Sequence, residues 1–219
     1  MKLQKILSIQ AEIQSLFTLS GDTNLHETTG DSYTSTGFNS SLRQPSLQSP
    51  MGNPPLATDG INWVGYAVNS YNSSVTFSYN FATFGATLNN SLVEQVPRDV
   101  IHQVDDFCSH YCHSTTWEPK SSIFGFWIGI NDVYFTFDGD DPSTMPQLAM
   151  DSYFRLLDHL HQNCGARHFL VINVPPIART PQFRDEDPLR RQRLHKATLQ
   201  FNNLLDQTVR QWRMRNQQV

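Results

Sequence analysis

Residues 123–132 read Ile-Phe-Gly-Phe-Trp-Ile-Gly-Ile-Asn-Asp. A short apolar run with an aromatic core, closed by Gly and Asn-Asp, predicts a strand over 123–130 that is buried on both faces, as in a parallel sheet. Similar runs flank it at 15–19, 74–79 and 168–174, and helical patterns fill 91–111, 145–163 and 188–216. Gly165 is placed to end the middle helix as a C′ glycine. Strands alternating with helices predict βαβ units and a three-layer α/β/α, flavodoxin-like parallel sheet. The expected strand order is 2-1-3-4, with the place of a fifth strand empty.

The length of 219 residues suits one hydrophobic core. Hydrophobic residues at 38% and charged residues at 16% exclude a chain disordered by charge, and the run 123–130 is far too short to span a bilayer. Sixteen Lys plus Arg against twenty Asp plus Glu leave a net charge of −4 and no general field for nucleic acid. Three cysteines, Cys108, Cys112 and Cys164, exclude a disulfide scaffold but allow one bridge. Cys108 and Cys112 are read as residues of a helix face rather than as metal ligands. Asn39, Asn72 and Asn89 begin Asn-x-Ser sequons. Lys2 and Lys5 precede an apolar stretch that Gln10, Glu12 and Gln14 interrupt, so no signal peptide is assigned. Residues 39–60, rich in Ser, Pro, Gly and Gln, read as a surface excursion.

In a doubly wound sheet, functional groups collect at the C-terminal ends of the strands. Three of those ends carry chemistry. Ser32, after Gly30-Asp31, offers a hydroxyl and a backbone N–H; Gly85 lets a backbone N–H approach a ligand; Asn131 offers a carboxamide. Taken singly, Gly-Asp-Ser is a common turn and Asn-Asp a common helix start.

Together the stretches GDSYTSTGFN (30–39), NFATFGAT (80–87) and FWIGINDV (126–133) resemble the first three blocks of the SGNH or GDSL ester hydrolases. GNPP (52–55), GINWVGY (60–66) and GARHFLVINVPP (165–176) resemble its fungal branch of acetylesterase-like enzymes, carbohydrate esterase family sixteen. The resemblance covers about 30–216. It implies Ser32 as nucleophile, with Gly85 and Asn131 joining its N–H as oxyanion donors, and Asp31 and Asp132 as residues that orient the turns. It further implies acyl transfer through an acyl-enzyme, short acetyl esters of carbohydrates as substrates, no cofactor or metal, and an extracellular setting; the charge balance and the short apolar run already point to no nucleic-acid or membrane partner.

Two departures from the family pattern stand out. With a first strand at 15–19, residues 20–29 form a loop interposed before Gly30, so that 1–29 is an atypical N-terminal segment and 30–219 the hydrolase-like domain. The family's terminal Asp-x-x-His block is not found; Asp158 and His161 have that spacing but fall inside a helix, where both are read as side chains that keep one helix face in contact with water. The expectation is an impaired ester hydrolase, the alternatives being a carbohydrate-binding or regulatory remnant or a truncated gene product. His102, His110, His113, His159 and His195 are read as solvated helix residues, and His26 as a loop residue. Phe124, Phe126, Trp127 and Ile128 are read as buried strand residues rather than a substrate platform, and an open edge on the fourth strand is expected to invite self-association.

Overall fold

A computed structural model describes residues 24–52, 60–72, 74–139 and 144–216. Four strands form one parallel sheet, β1 (Asn24–Gly30), β2 (Tyr79–Asn80), β3 (Ser122–Trp127) and β4 (His168–Ile172), in the expected order β2-β1-β3-β4. Helices α1 (Trp63–Asn69), α2 (Val100–His110), α3 (Ile130–Thr136), α4 (Met145–His159) and α5 (Pro188–Arg215) cover its two faces. Alternation along β3 divides the layers. Phe124 and Phe126 pack with Phe107, Tyr153, Leu157 and Phe201 from α2, α4 and α5, while Ile123 packs with Val64, Ala67 and Val68 of α1. Gly125 leaves room for Trp63, whose Cη2 would lie 3.4 Å from an added Cβ.

The first strand corrects the sequence reading. The expected strand at 15–19 lies outside the described residues, and what was read as an interposed loop is β1 itself from Asn24 onward, running straight into Gly30-Asp31-Ser32. No slack separates the strand from this turn, and a boundary between 29 and 30 would cut the central strand. The run was missed because it is polar, Asn-Leu-His-Glu-Thr-Thr, yet its backbone is paired on both sides, to β2 and to β3. Glu27, Thr28 and Thr29 are completely buried there. His26 accordingly belongs to a strand and not to a loop.

Other boundaries shift for local reasons. β2 is only two residues long, because the Ser78 N–H is drawn to the Pro50 carbonyl at 3.0 Å. Helix α2 begins nine residues later than expected, after Pro97, where the Asp99 side chain accepts the His102 N–H and caps it. The short α1 and α3 were not anticipated as helices. The last turn of the middle helix, Leu160–Cys164, widens into a π-turn before Gly165 in a left-handed conformation.

Cys112, just past α2, is bonded to Cys164 at the end of that π-turn, tying α2 to α4 across 52 residues of sequence. Cys108 keeps a free thiol 3.7 Å from the Cys164 sulfur, and burial together with the nearby Glu27 and Asp105 pushes it up to about 12. The three sulfurs lie within 4.8 Å of one another, but two are spent on the bridge. Among the described residues no helix is long and apolar enough to cross a membrane.

Candidate active site

The turn after β1 is built by its own aspartate. The Asp31 carbonyl accepts the N–H groups of Thr34 and Ser35, and its carboxylate accepts the Tyr33 N–H at 2.9 Å. This leaves Ser32, half-buried, at the tip of the turn, on an open cleft shared with Tyr33, Gly60, Ile61, Asn62, Trp63 and Trp127. Gly30 is required just before it, since a Cβ there would run into the Trp127 carbonyl oxygen and the Thr34 hydroxyl. From α2, Gln103 clamps Gly30 with both ends of its amide: Oε1 accepts the Gly30 N–H and Nε2 donates to the Gly30 carbonyl, each at 2.9 Å.

Gly85 lies in the loop that follows β2. The Phe81 N–H donates to the Thr28 carbonyl and the Thr83 N–H to the Gly30 carbonyl, so β1 holds this loop beside its own turn. Thr83 and Ala86 close a tight turn in which Gly85 has φ of 78°, a left-handed value that favours glycine. Asn131 comes from the first turn of α3, after β3. Its Nδ2 donates to the carbonyl of Ala86 at 2.8 Å, directly beside Gly85. Its neighbour Asp132 accepts the Leu88 N–H with both oxygens, at 3.0 and 3.2 Å. The structure therefore brings Gly85, Asn131 and Asp132 into one bonded cluster and ties that cluster, through Thr83 and Gly30, to the turn bearing Asp31 and Ser32.

Both aspartates are held away from water. Burial pushes the Asp31 carboxyl up to about 6 against the pull of the Tyr33 N–H. Burial pushes Asp132 up to about 7, opposed by the Leu88 N–H and reinforced by the charges of Asp31 and Asp99. They serve as acceptors that shape two turns.

Four of the described histidines have other work. His102 pairs its Nδ1 with Asp99 at 2.6 Å, His110 with the Asp106 carbonyl, His159 with Asn163 and His161 with the Ala166 carbonyl. None of them lines the cleft at Ser32. Asp158 accepts the Trp212 indole N–H at 2.6 Å. His161 thus stands where the chain enters β4, at the opposite end of the strands from Ser32, and steadies the turn into that strand, while Asp158 ties α4 to α5.

Several supporting residues carried no signal in a single sequence. Gln103 is one, and Asn80 is another: its Nδ2 donates to the Thr34 carbonyl at 2.6 Å while its Oδ1 accepts the Ala82 N–H. Asn62 caps α1 and also donates to the carbonyls of Thr34 and Ser35. Trp127 departs from its reading as a buried strand residue, because it is the last residue of β3 and half-exposed in the cleft.

A serine turn at the end of β1, a glycine loop after β2 and an Asn-Asp helix start after β3 coincide with a match to the model of the GDSL-like lipase/acylhydrolase family over residues 28–219. The chain belongs to this family. An acetylesterase of Thermothelomyces thermophilus is 40% identical over 164 residues, 70% of this chain and 54% of that protein. A thermolabile hemolysin of Vibrio parahaemolyticus is 23% identical over 148 residues, 68% of this chain and 32% of its own length. The chain thus spans about half of the first relative and a third of the second. A solved carbohydrate esterase structure covers 84% of this chain and 57% of its own at 14% identity, with a TM-score of 0.44.

Proposed function

We propose that this GDSL-family chain is a serine ester hydrolase for short acyl groups, notably acetyl groups on carbohydrates, with Ser32 as nucleophile. The observation that supports this most is the bonded cluster linking the turn of Ser32 to Gly85 and Asn131. In this reading Ser32 Oγ attacks the ester carbonyl as its hydroxyl proton passes through water in the open cleft to the leaving alcohol oxygen, and the N–H groups of Ser32 and Gly85 with the Asn131 carboxamide stabilise the oxyanion. The tetrahedral intermediate expels the alcohol, and water then releases the acid from the acyl-enzyme. Asn131 spends one N–H on Ala86 and has its second for the oxyanion. No cofactor or metal enters this scheme. The acetylesterase relative supports the acetyl preference.

Because no described histidine lines the cleft at Ser32, turnover by this chain alone is expected to be weak, resting on the oxyanion donors and binding. The same observation favours a second reading, a binding module that keeps the pocket without the base. The bridge between Cys112 and Cys164 supports an oxidising, extracellular setting. The outer edge of β4, which pairs only with β3 among the described strands, supports self-association through that edge, to be checked by sedimentation velocity; a strict monomer at high concentration would refute it.

The test is hydrolysis of p-nitrophenyl acetate and laurate by the purified chain and by Ser32→Ala. Acetate is expected to be preferred, and Ser32→Ala to lower turnover to what the oxyanion donors and binding give to direct attack by water. Turnover that survives Ser32→Ala unchanged would remove Ser32 from the reaction, and a preference for laurate would overturn the acyl class.

A further inference from the structure

The cleft at Ser32 is lined by three aromatic rings, those of Tyr33, Trp63 and Trp127. Trp127, at the end of β3, stands between Tyr33 and Trp63, its ring centroid 5.4 Å from the first at an interplanar angle of 47° and 6.3 Å from the second at 65°. Both indole N–H groups are turned back into the protein: Trp63 Nε1 donates to the Thr34 hydroxyl and Trp127 Nε1 to the Asn173 carbonyl, each at 3.1 Å. With their polar tips satisfied, the rings contribute flat apolar surface. Tyr33 is 43% and Ile61 50% exposed, so large apolar side chains stand in water directly beside Ser32. Such a patch on a concave surface marks a ligand site.

We infer that Trp127, flanked by Trp63 and Tyr33, forms the subsite for the alcohol half of the ester, stacking a pyranose ring of a neutral oligosaccharide. This rests on the ester-hydrolase reading of Ser32 and names what lies beyond the scissile bond. Geometry separates the two halves of the substrate. Gly85 and Asn131 do not line this cleft, whereas Trp127 and Trp63 lie on the α1 face of the sheet, so the acyl carbonyl and the alcohol group point to different sides of Ser32. The shape selects the class of ligand. A long acyl chain is best buried in an enclosed apolar tunnel, but this cleft, of about 680 Å³, is open to solvent along its length. An open aromatic wall suits a ring that offers C–H groups to the indole face and keeps its hydroxyls in water. Among the described residues no acidic or basic side chain lines the cleft, which suits a neutral sugar.

The experiment uses the full chain carrying Ser32→Ala and ligands without an ester, so that it is independent of turnover. Tryptophan fluorescence and calorimetry are recorded against xylotetraose, cellotetraose and sodium octanoate. At least one tetrasaccharide is expected to bind and perturb tryptophan emission, with affinity reduced at least about tenfold by Trp127→Ala and partly kept by Trp127→Phe. Octanoate is expected not to bind. Circular dichroism and the melting temperature of both Trp127 variants separate lost stacking from lost folding, and Trp127→Phe carries the test if Trp127→Ala unfolds. Absence of binding by both sugars, or binding that both folded variants retain in full, overturns the inference; octanoate binding abolished by Trp127→Ala reassigns the wall to an acyl chain. Failure of ester hydrolysis with sugar binding intact would instead count against the catalytic reading alone.

Discussion

β1 and β3 lie side by side at the centre of the sheet, and β1 from Glu27 onward is as buried as β3, yet one strand reads Asn-Leu-His-Glu-Thr-Thr-Gly and the other Ser-Ile-Phe-Gly-Phe-Trp. β3 obeys the rule for a parallel strand, apolar on both faces, and supplies Phe124 and Phe126 to the main core at complete burial. β1 breaks it. Glu27 is completely buried, and neither of its carboxyl oxygens has a hydrogen-bond partner among the described residues. Burial alone pushes its pKa well above the usual carboxylate range, so the group is held neutral. The pair shows that position in a parallel sheet is enforced by backbone pairing on two sides, while the side chains decide how much stability that position returns.

Removing what β3 contributes should have the largest effect. Phe124 touches Phe107, Trp117 and Phe169 through ring contacts of 5.3 to 5.7 Å, and it has nowhere to collapse. Phe124→Ala is expected to destabilise the chain by about 4 kcal/mol in denaturant unfolding. A loss below about 1 kcal/mol would mean that β3 is not the hydrophobic centre.

The next effect sharpens the comparison at the end of β1. Gln103→Leu keeps the volume in α2 but strips Gly30 of a clamp on both its N–H and its carbonyl. The orphaned N–H should cost about 2 kcal/mol. Ester turnover, where measurable, should fall further than stability accounts for, because the turn of Ser32 loses its anchor. Equal turnover per folded molecule would show that the turn holds without Gln103.

This contrast also explains what was legible from residues alone. The central strand and the strand order could be read because hydrophobic period and turn chemistry both pointed the same way, although the strand expected at 123–130 ends at Trp127 and Ile130 already begins α3. The motif residues Ser32, Gly85 and Asn131 could be named because each sits where a strand ends. β1 could not be read, since a run with a central Glu carries no apolar signal and its neighbour at 15–19 carries a stronger one. Gln103, Asn80 and Asn62 escaped for a related reason: their roles are bonds to backbone groups distant in sequence, and nothing local distinguishes them from surface amides. Trp127 was misread because strand burial was extended to its last residue, where the cleft begins.

The smallest effect, and the one with a definite sign in pH, concerns Glu27 itself. Its folded pKa is raised, so the native state holds a proton that the unfolded chain releases above its ordinary value of 4.5. Stability from this group is complete below that value and is lost as pH rises toward the raised folded pKa. Asp31 at about 6 and Asp132 at about 7 act with the same sign, while Asp99, lowered by bonds from Asn90 and His102, acts oppositely and matters only in acid. The melting temperature of the chain is therefore expected to fall between pH 4.5 and 7. Glu27→Val removes the largest burial penalty and restores the apolar pattern of β3 to β1, which should stabilise the fold by about 1 to 2 kcal/mol at pH 7 and by less at pH 4.5. Glu27→Gln should flatten the pH profile without matching that gain, because an unpaired amide still occupies the site. A Glu27→Val variant less stable than the parent at pH 7 would mean that the carboxyl has a partner that stabilises it, and the contrast between the two strands would then be one of chemistry and not of stability.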